Sequence, residues 1–263
     1  MTLDENLLEL DTEKPGKAYP ANALNEIQFR YSFACKFVSN KKVVEIGFGA
    51  GYGVVDLATR SRSYLGIDIL DSNRLLAKKR LSEAGLLDRA NVSRGDATEI
   101  PVADKSADIL IAFAIIYYLD VPAFFAEARR VLKHNGSFVF CQTNPLAMNF
   151  SPSRNTVKYY KRDEIVSLLL EAGFSCQIYG ISELDSFSAN KYNISGKIKA
   201  LFKHRMPVLY AYLRKALVKY EELPEKIFLN EADPRLKKLQ VVTQKNESAV
   251  RILYVVASKL HEE

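Results

Sequence analysis

The sequence predicts an α/β fold, a doubly wound and mostly parallel seven-stranded sheet with helices on both faces and a helical insert before the last strand. Short apolar runs of strand length alternate with amphipathic stretches of helix length. The joints between them are short and carry Gly, Asp and Asn. One run, ADILIAFAIIYYL, is apolar on both faces, as a central parallel strand covered from both sides must be. Right-handed crossovers then wind the chain into two helical layers around one sheet.

Residues 22–39 read as a helix, and VVEIG (Val43 to Gly47) as a buried strand closed by glycines. Tyr52 to Arg60 has helical spacing, and YLGID (Tyr64 to Asp68) is a second strand ending in an acid. Asp71 and Ser72 stand where the next helix needs an N-cap, and Gly85 supplies its stop. NVSRGDA holds the third strand and the long apolar run the central one. Asp120 caps the following helix with Pro122 in its first turn, and His134, Asn135 and Gly136 end it before SFVFCQ. RDEIVSLLLEAG is a helix, FSCQIYG a strand, and RILYVVAS (Arg251 to Ser258) the last strand. The 67 residues from Ser182 to Ser248 break this rhythm and read as an insert. The organisation is therefore an N-terminal helical cap over 1–40, an α/β core over 41–181, a basic helical insert over 182–248, and a last core strand with its tail over 249–263.

Of the 263 residues 48% are apolar and 26% charged, which excludes disorder and collagen. The apolar run Ile109 to Leu119 has eleven residues, too few for the ~20 that cross a bilayer. The acidic N-terminus has no basic stretch leading into an apolar one, so a cytoplasmic location is expected. Cys35, Cys141 and Cys176 sit in apolar contexts without paired spacing, which predicts buried thiols, with neither a disulfide framework nor a metal site. The net charge of +6 is local. Between Asp185 and Glu221 there is no acid but eight Lys and Arg, from Lys191 to Lys219, leaving the rest of the chain slightly acidic. That stretch also carries an apolar stripe through Ile198, Leu201, Phe202, Leu209, Leu213 and Leu217. It reads either as a helix packed on its own domain or as a basic face for an anionic acceptor or surface. Nucleic acid is disfavoured, because no RNA-binding module or aromatic–basic interleaving is present.

In a doubly wound sheet, ligands bind at the carboxyl ends of the strands, beginning with the first strand-to-helix turn. Here that turn reads EIGFGAGYG, positions 45–53. Gly47, Gly49 and Gly51 permit positive φ and close approach of a ligand to the backbone. A dinucleotide fingerprint needs a small third residue, but Tyr52 or Val54 stands there. Glu45 beside the turn repels a pyrophosphate and suits a ligand bearing positive charge. Asp68 can take the two hydroxyls of a ribose, and Asp96 the exocyclic amine of an adenine. Two acids without a phosphate-binding lysine fit an unphosphorylated cationic nucleoside. Taken singly, Asp68 also reads as a helix cap and Asp96 as a turn former.

Four stretches in order carry a family resemblance: VVEIGFGAGYG, LGIDI, GDATEIPVADKSADIL and EARRVLKHNGSFVF. Together they resemble a class I S-adenosylmethionine-dependent methyltransferase of the type 11 kind, over roughly Glu26 to Gly180 and the final strand. More loosely, NEIQFRYSFA, GAGYG, YEELP and ILYVVA resemble a bacterial subgroup associated with sugar and cell-surface polysaccharide modification. The chain departs from the family in having His134 and Asn135 before Gly136, where a proline–glycine is usual.

The resemblance implies a Rossmann-like methyltransferase fold with S-adenosylmethionine as cofactor. Glu45, Gly47, Gly49, Gly51, Asp68, Ile69, Asp96, Ala97 and Phe113 would line it, with Arg30 and Tyr31 closing over it. It implies methyl transfer to an oxygen or nitrogen of a small-molecule or saccharide acceptor. For catalysis the candidates are Tyr117 and Tyr118, which can orient an acceptor, and His204, should the insert fold back. For each a plain reading stands beside the functional one: aromatic packing for the tyrosines, a helix-surface pair for Arg30 and Tyr31, an exposed basic helix for His204. An RNA methyltransferase, a nicotinamide enzyme and a scaffold acting through the basic insert are the other open classes.

Overall fold

The computed structural model describes residues 13–20, 23–147, 150, 152–153, 155–182, 220–222, 224 and 233–260. The basic stretch Lys191 to Lys219, its apolar stripe and His204 lie outside these, as does His261.

In chain order the elements are β1 (Ala18–Pro20), α1 (Ala23–Ala34), β2 (Lys42–Ile46), α2 (Val54–Arg60), β3 (Ser63–Asp68), α3 (Asp71–Glu83), β4 (Ala90–Arg94) and β5 (Ala107–Phe113). After a 3-10 turn at Ile116–Tyr118 come α4 (Val121–Val131), β6 (Leu132–Thr143), α5 (Arg162–Glu171), β7 (Phe174–Gly180), β8 (Tyr220–Glu222), β9 (Gln240–Val241) and β10 (Ile252–Lys259). The main sheet runs β4-β3-β2-β5-β6-β10-β7-β9. Strands β2 to β6 are parallel, and β10 enters antiparallel between β6 and β7. The seven predicted strands are all present. The two-residue β9 adds an eighth on the edge of β7, while β1 and β8 form a separate antiparallel pair.

Alternation along β5 divides the interior into two cores. Leu110 and Ala112 face the layer of α4 and α5, where Phe124 and Phe125 stack edge-on against Phe138 of β6. Ile109, Ile111 and Phe113 face the other layer, built from Ile27 and Phe33 of α1, Leu57 of α2 and Leu81 of α3. Cys141 is buried, whereas Cys35 and Cys176 are only half-buried.

Helix ends agree with the sequence in two places and differ in two. Asp120 accepts from the Ala123 amide at 3.2 Å with Pro122 in the first turn. Gly85, at φ +67°, closes α3 with the Leu86 amide donating to the Leu81 carbonyl at 3.0 Å, a six-to-one closure. Asp71 and Ser72, however, lie inside the first turn of α3, and the N-cap is Leu70 with no side-chain cap. Its amide donates to Asp68 Oδ1 at 2.9 Å, so the acid ending β3 shapes the turn that leads into the helix. His134 to Gly136 do not form a free-standing turn either: α4 ends at Val131 and β6 starts at once, Leu132 pairing with Ala107. The next pair is Ser137 with Ile109, so the extra residues bulge within the strand. Asp108 anchors the bulge, accepting from Lys133 Nζ at 2.6 Å and the Lys42 amide at 2.8 Å.

The central strand is shorter than its apolar run. It breaks at Ala114, whose φ of +58° is an uncommon, strained value for a residue with a Cβ. That kink turns the chain off the sheet and carries Ile115 to Leu119 across the carboxyl ends of the strands.

Candidate active site

At those carboxyl ends lies a cavity of about 480 Å³. Its floor is the turn after β2. Gly47, Gly49 and Gly51 adopt φ of +70°, +57° and +72°. A side chain on Gly47 would also stand 2.6 Å from Ile115 Cγ2, and one on Gly51 2.9 Å from Ala77 Cβ. Backbone is thereby exposed at Gly47 and Gly49, which line the cavity, while Gly51 lies behind them where the turn packs on α3.

Asp68 forms one wall and is 5% exposed. Its Oδ2 accepts from the Gly49 amide at 2.9 Å; Oδ1 accepts from the Leu70 amide at 2.9 Å and Asn73 Nδ2 at 3.1 Å. Burial pushes its carboxyl up from the ordinary range, and those three donors hold the rise back. Asp96, on the neighbouring rim, folds a tight turn in which Oδ1 accepts from the amide and hydroxyl of Thr98, both at 2.8 Å. Ile69 and Ala97 complete this side.

Glu45 is placed differently from the expectation. Its carboxylate does not line the cavity but sits behind it, 1% exposed, between two phenols. Tyr31 Oη donates to Oε1 at 2.9 Å and Tyr64 Oη to Oε2 at 2.5 Å. Burial raises the Glu45 carboxyl to about 7 against both hydrogen bonds, and nearby Asp68 pushes the same way. The tyrosine ring of α1 is itself wedged between Phe113, edge-on at 5.7 Å, and Gly53. Gly53 has no positive φ; its lack of a side chain is what admits the ring, since a Cβ would lie 2.0 Å from Tyr31 Cδ1. Gly53→Ala is therefore expected to lower stability by about 1–3 kcal/mol, as overpacking does, readable in urea unfolding. An unchanged midpoint would show that the ring has room to retreat.

Opposite the acids, Phe113, Ala114, Tyr117 and Tyr118 form an aromatic wall. Tyr117 stacks on Tyr159 at 4.5 Å, and burial pushes its hydroxyl well above the usual phenol range, so it keeps its proton and serves as a donor. The remaining wall is charged: Arg30 Nη2 meets both oxygens of Glu13, at 2.9 and 3.1 Å, and Arg251 pairs with Glu26 at 2.9 Å.

The fold thus brings Arg30, Tyr31, Gly47, Gly49, Asp68, Ile69, Asp96, Ala97, Phe113, Tyr117 and Tyr118 to one cavity, with Glu45 and Gly51 just behind. Sequence reasoning missed Glu13, Tyr19, Glu26, Asn73, Gln142, Thr143 and Arg251. Gln142 and Thr143 were accessible to it, since they end β6 beside the central strand, on the rim where ligands bind.

Residues 44–140 match the methyltransferase domain family. A probable S-adenosylmethionine-dependent methyltransferase of Mycolicibacterium smegmatis is 30% identical over 162 residues, covering 56% of this chain and 60% of that one. The chain spans about half the length of the curated relatives it matches. Among solved structures, the YcgJ protein of Bacillus subtilis superposes with a TM-score of 0.57 at 16% identity, over 89% of this chain and 99% of that one. The [4+2]-cyclase SpnF reaches 0.59 at 15% identity, over 95% and 86%. Such likeness at low identity carries the fold alone. Residues 44–140, which carry the glycine turn, Asp68 and Asp96, are thus similar to a methyltransferase domain, and the mycobacterial relative that matches around them is named as S-adenosylmethionine-dependent.

Proposed function

We propose that the chain transfers the methyl group of S-adenosylmethionine to an oxygen or nitrogen of a small-molecule or glycan-type acceptor. The observation that carries this is the composition of one cavity: an open glycine backbone and two acids on one side, an aromatic and charged wall on the other. Two features suit the cofactor. The volume is within the ~300–1,000 Å³ of small-molecule sites, and Asn73 Oδ1 is buried in the wall with no hydrogen-bond partner among the described residues. A buried acceptor of that kind calls for a donor from a ligand.

When bound, S-adenosylmethionine would supply an electrophilic methyl group: the acceptor's oxygen or nitrogen bonds to it as the methyl–sulfur bond breaks, S-adenosylhomocysteine leaves, and the acceptor's proton passes to solvent. The backbone of Gly47 and Gly49 cradles the amino-acid part, Asp68 accepts from the ribose, and Asp96 with Ile69 and Ala97 holds the adenine. Phe113 and Ala114 lie beside the methionine, while Arg30 and Tyr31 close the site from α1. Tyr117 and Tyr118 orient the acceptor. Among the described residues no histidine lines the cavity, and transfer from a sulfonium can run mainly on alignment and exclusion of water.

The sugar and polysaccharide subgroup, suggested by NEIQFRYSFA and YEELP, makes saccharides the acceptors of first choice, at a cytoplasmic site. The basic stretch 191–219 suits an anionic acceptor or surface. No helix among the described residues is long and apolar enough to cross a membrane.

Calorimetric titration with S-adenosylmethionine and S-adenosylhomocysteine, with NADH as control, tests the cofactor. One-site binding of the first two and none of NADH is expected; binding of NADH alone would replace this reading with a nicotinamide enzyme. Because SpnF shares the fold and is named a cyclase, transfer itself needs its own assay, label moving from the methyl group to phosphosugar and glycan acceptors.

A further inference from the structure

The cavity's walls are tied together by a stretch that precedes α1. Glu13 meets Arg30 of α1 with both oxygens, while its neighbour Lys14 donates to Ser72 Oγ at 3.1 Å in the first turn of α3. The charge of Lys14 favours the ionised form of Asp68. Further on, β1 pairs with β8, and Pro224 just beyond β8 accepts from Tyr52 Oη of the glycine turn at 2.9 Å. Residues 13–20 therefore span from one wall to the other and are moored to both.

Arg30 is 9% exposed and lines the cavity. A guanidinium withdrawn that far from water needs a carboxylate partner. Its partner here, Glu13, comes from outside the doubly wound core, on a side chain that is one third exposed. The better hydrated member of the pair is the carboxylate, so a carboxylate brought in by a ligand can take its place at little cost in desolvation. We propose that Glu13 is an internal stand-in for a ligand carboxylate at Arg30, so that residues 13–20 form a strap which yields Arg30 when the ligand enters. The identity of that ligand rests on the methyltransferase reading: the carboxylate is the cofactor's own or that of an acidic acceptor. Apparent affinity is then reduced by the fraction of molecules in which the strap holds Arg30.

The test compares the wild type with Glu13→Gln. If the cofactor's carboxylate is the one exchanged, Glu13→Gln binds S-adenosylhomocysteine about two- to fivefold more tightly, the upper part of the range for removing a partly exposed ion pair. Methylthioadenosine, which lacks the amino-acid part, binds both proteins equally. If the acceptor's carboxylate is the one exchanged, S-adenosylhomocysteine binds both equally and acetate, added to that complex, tightens in the variant. Failure of S-adenosylhomocysteine to bind either protein would remove the proposed cofactor. Exchange at Arg30 would then be decided by acetate alone, followed at the Arg30 Nε–H resonance. Equal affinity of both proteins for S-adenosylhomocysteine and for acetate overturns the stand-in.

Discussion

Asp68→Ala is expected to weaken cofactor binding about a hundredfold while the protein still folds. The carboxylate does two things in one place. It closes the end of the glycine turn, accepting from the Gly49 and Leu70 amides and Asn73 Nδ2, and under the proposed function it accepts from the ribose. Removing it leaves three donors at a largely buried position, which lowers stability by about 2–3 kcal/mol where water cannot replace the acceptor fully. The lost charge-assisted bonds to a diol add about a hundredfold in affinity. Asp68→Asn separates the two roles: the amide keeps the shape and one acceptor, so most stability should return, but its NH₂ faces donors and the affinity should not. Melting curves with calorimetry read both quantities. Wild-type affinity in Asp68→Asn would assign Asp68 to holding the turn alone.

The parts legible in the sequence are those governed by local chemistry. Period and punctuation located the strands and helices because burial on both faces of β5 and on one face of α4 leaves a direct trace. The positive φ of Gly47, Gly49 and Gly51 follows from a strand that must turn back into a helix within a few residues. What stayed hidden depends on contacts between distant segments. Nothing near Ala114 announces a left-handed residue, since the kink is held by its amide donating to the Cys141 carbonyl on the next strand. Leu132 enters the sheet early because it meets Ala107 on β5, and His134 and Asn135 then fit a bulge as readily as a turn. At the cavity Glu13 and Arg251 pair with Arg30 and Glu26 of α1, contacts between segments far apart in sequence. Glu45 beside a glycine turn reads as a carboxylate facing the ligand; the two phenols that draw it back come from α1 and β3.

That withdrawn carboxylate makes folding stability depend on pH in an unusual direction. Glu45 ordinarily titrates at 4.5, and burial raises it to about 7 in the folded protein. A carboxyl that holds its proton more tightly when folded contributes stability that is complete below pH 4.5 and lost as the pH rises through about 7. The difference amounts to about 3 kcal/mol, so the wild type should unfold more easily in urea at pH 8 than at pH 5. The groups facing it are Tyr31 and Tyr64, which stabilise the ionised form by donating to it, and Asp68, which opposes it. Glu45→Gln removes this titration and should flatten its share of the slope, leaving the contribution of Asp68, whose shift has the same sign. A full slope in Glu45→Gln would assign the effect to another group. The residue that weakens the fold above neutrality also stands at the end of β2, where the chain enters the glycine turn, and this gives the second half of the prediction. As Glu45 ionises, the cationic S-adenosylmethionine should gain on the uncharged thioether of S-adenosylhomocysteine, so their affinity ratio rises between pH 6 and 8 in the wild type and stays level in Glu45→Gln. A level ratio in both proteins would mean that the phenols screen the carboxylate from the ligand, and that Glu45 serves only to fasten α1 to the sheet.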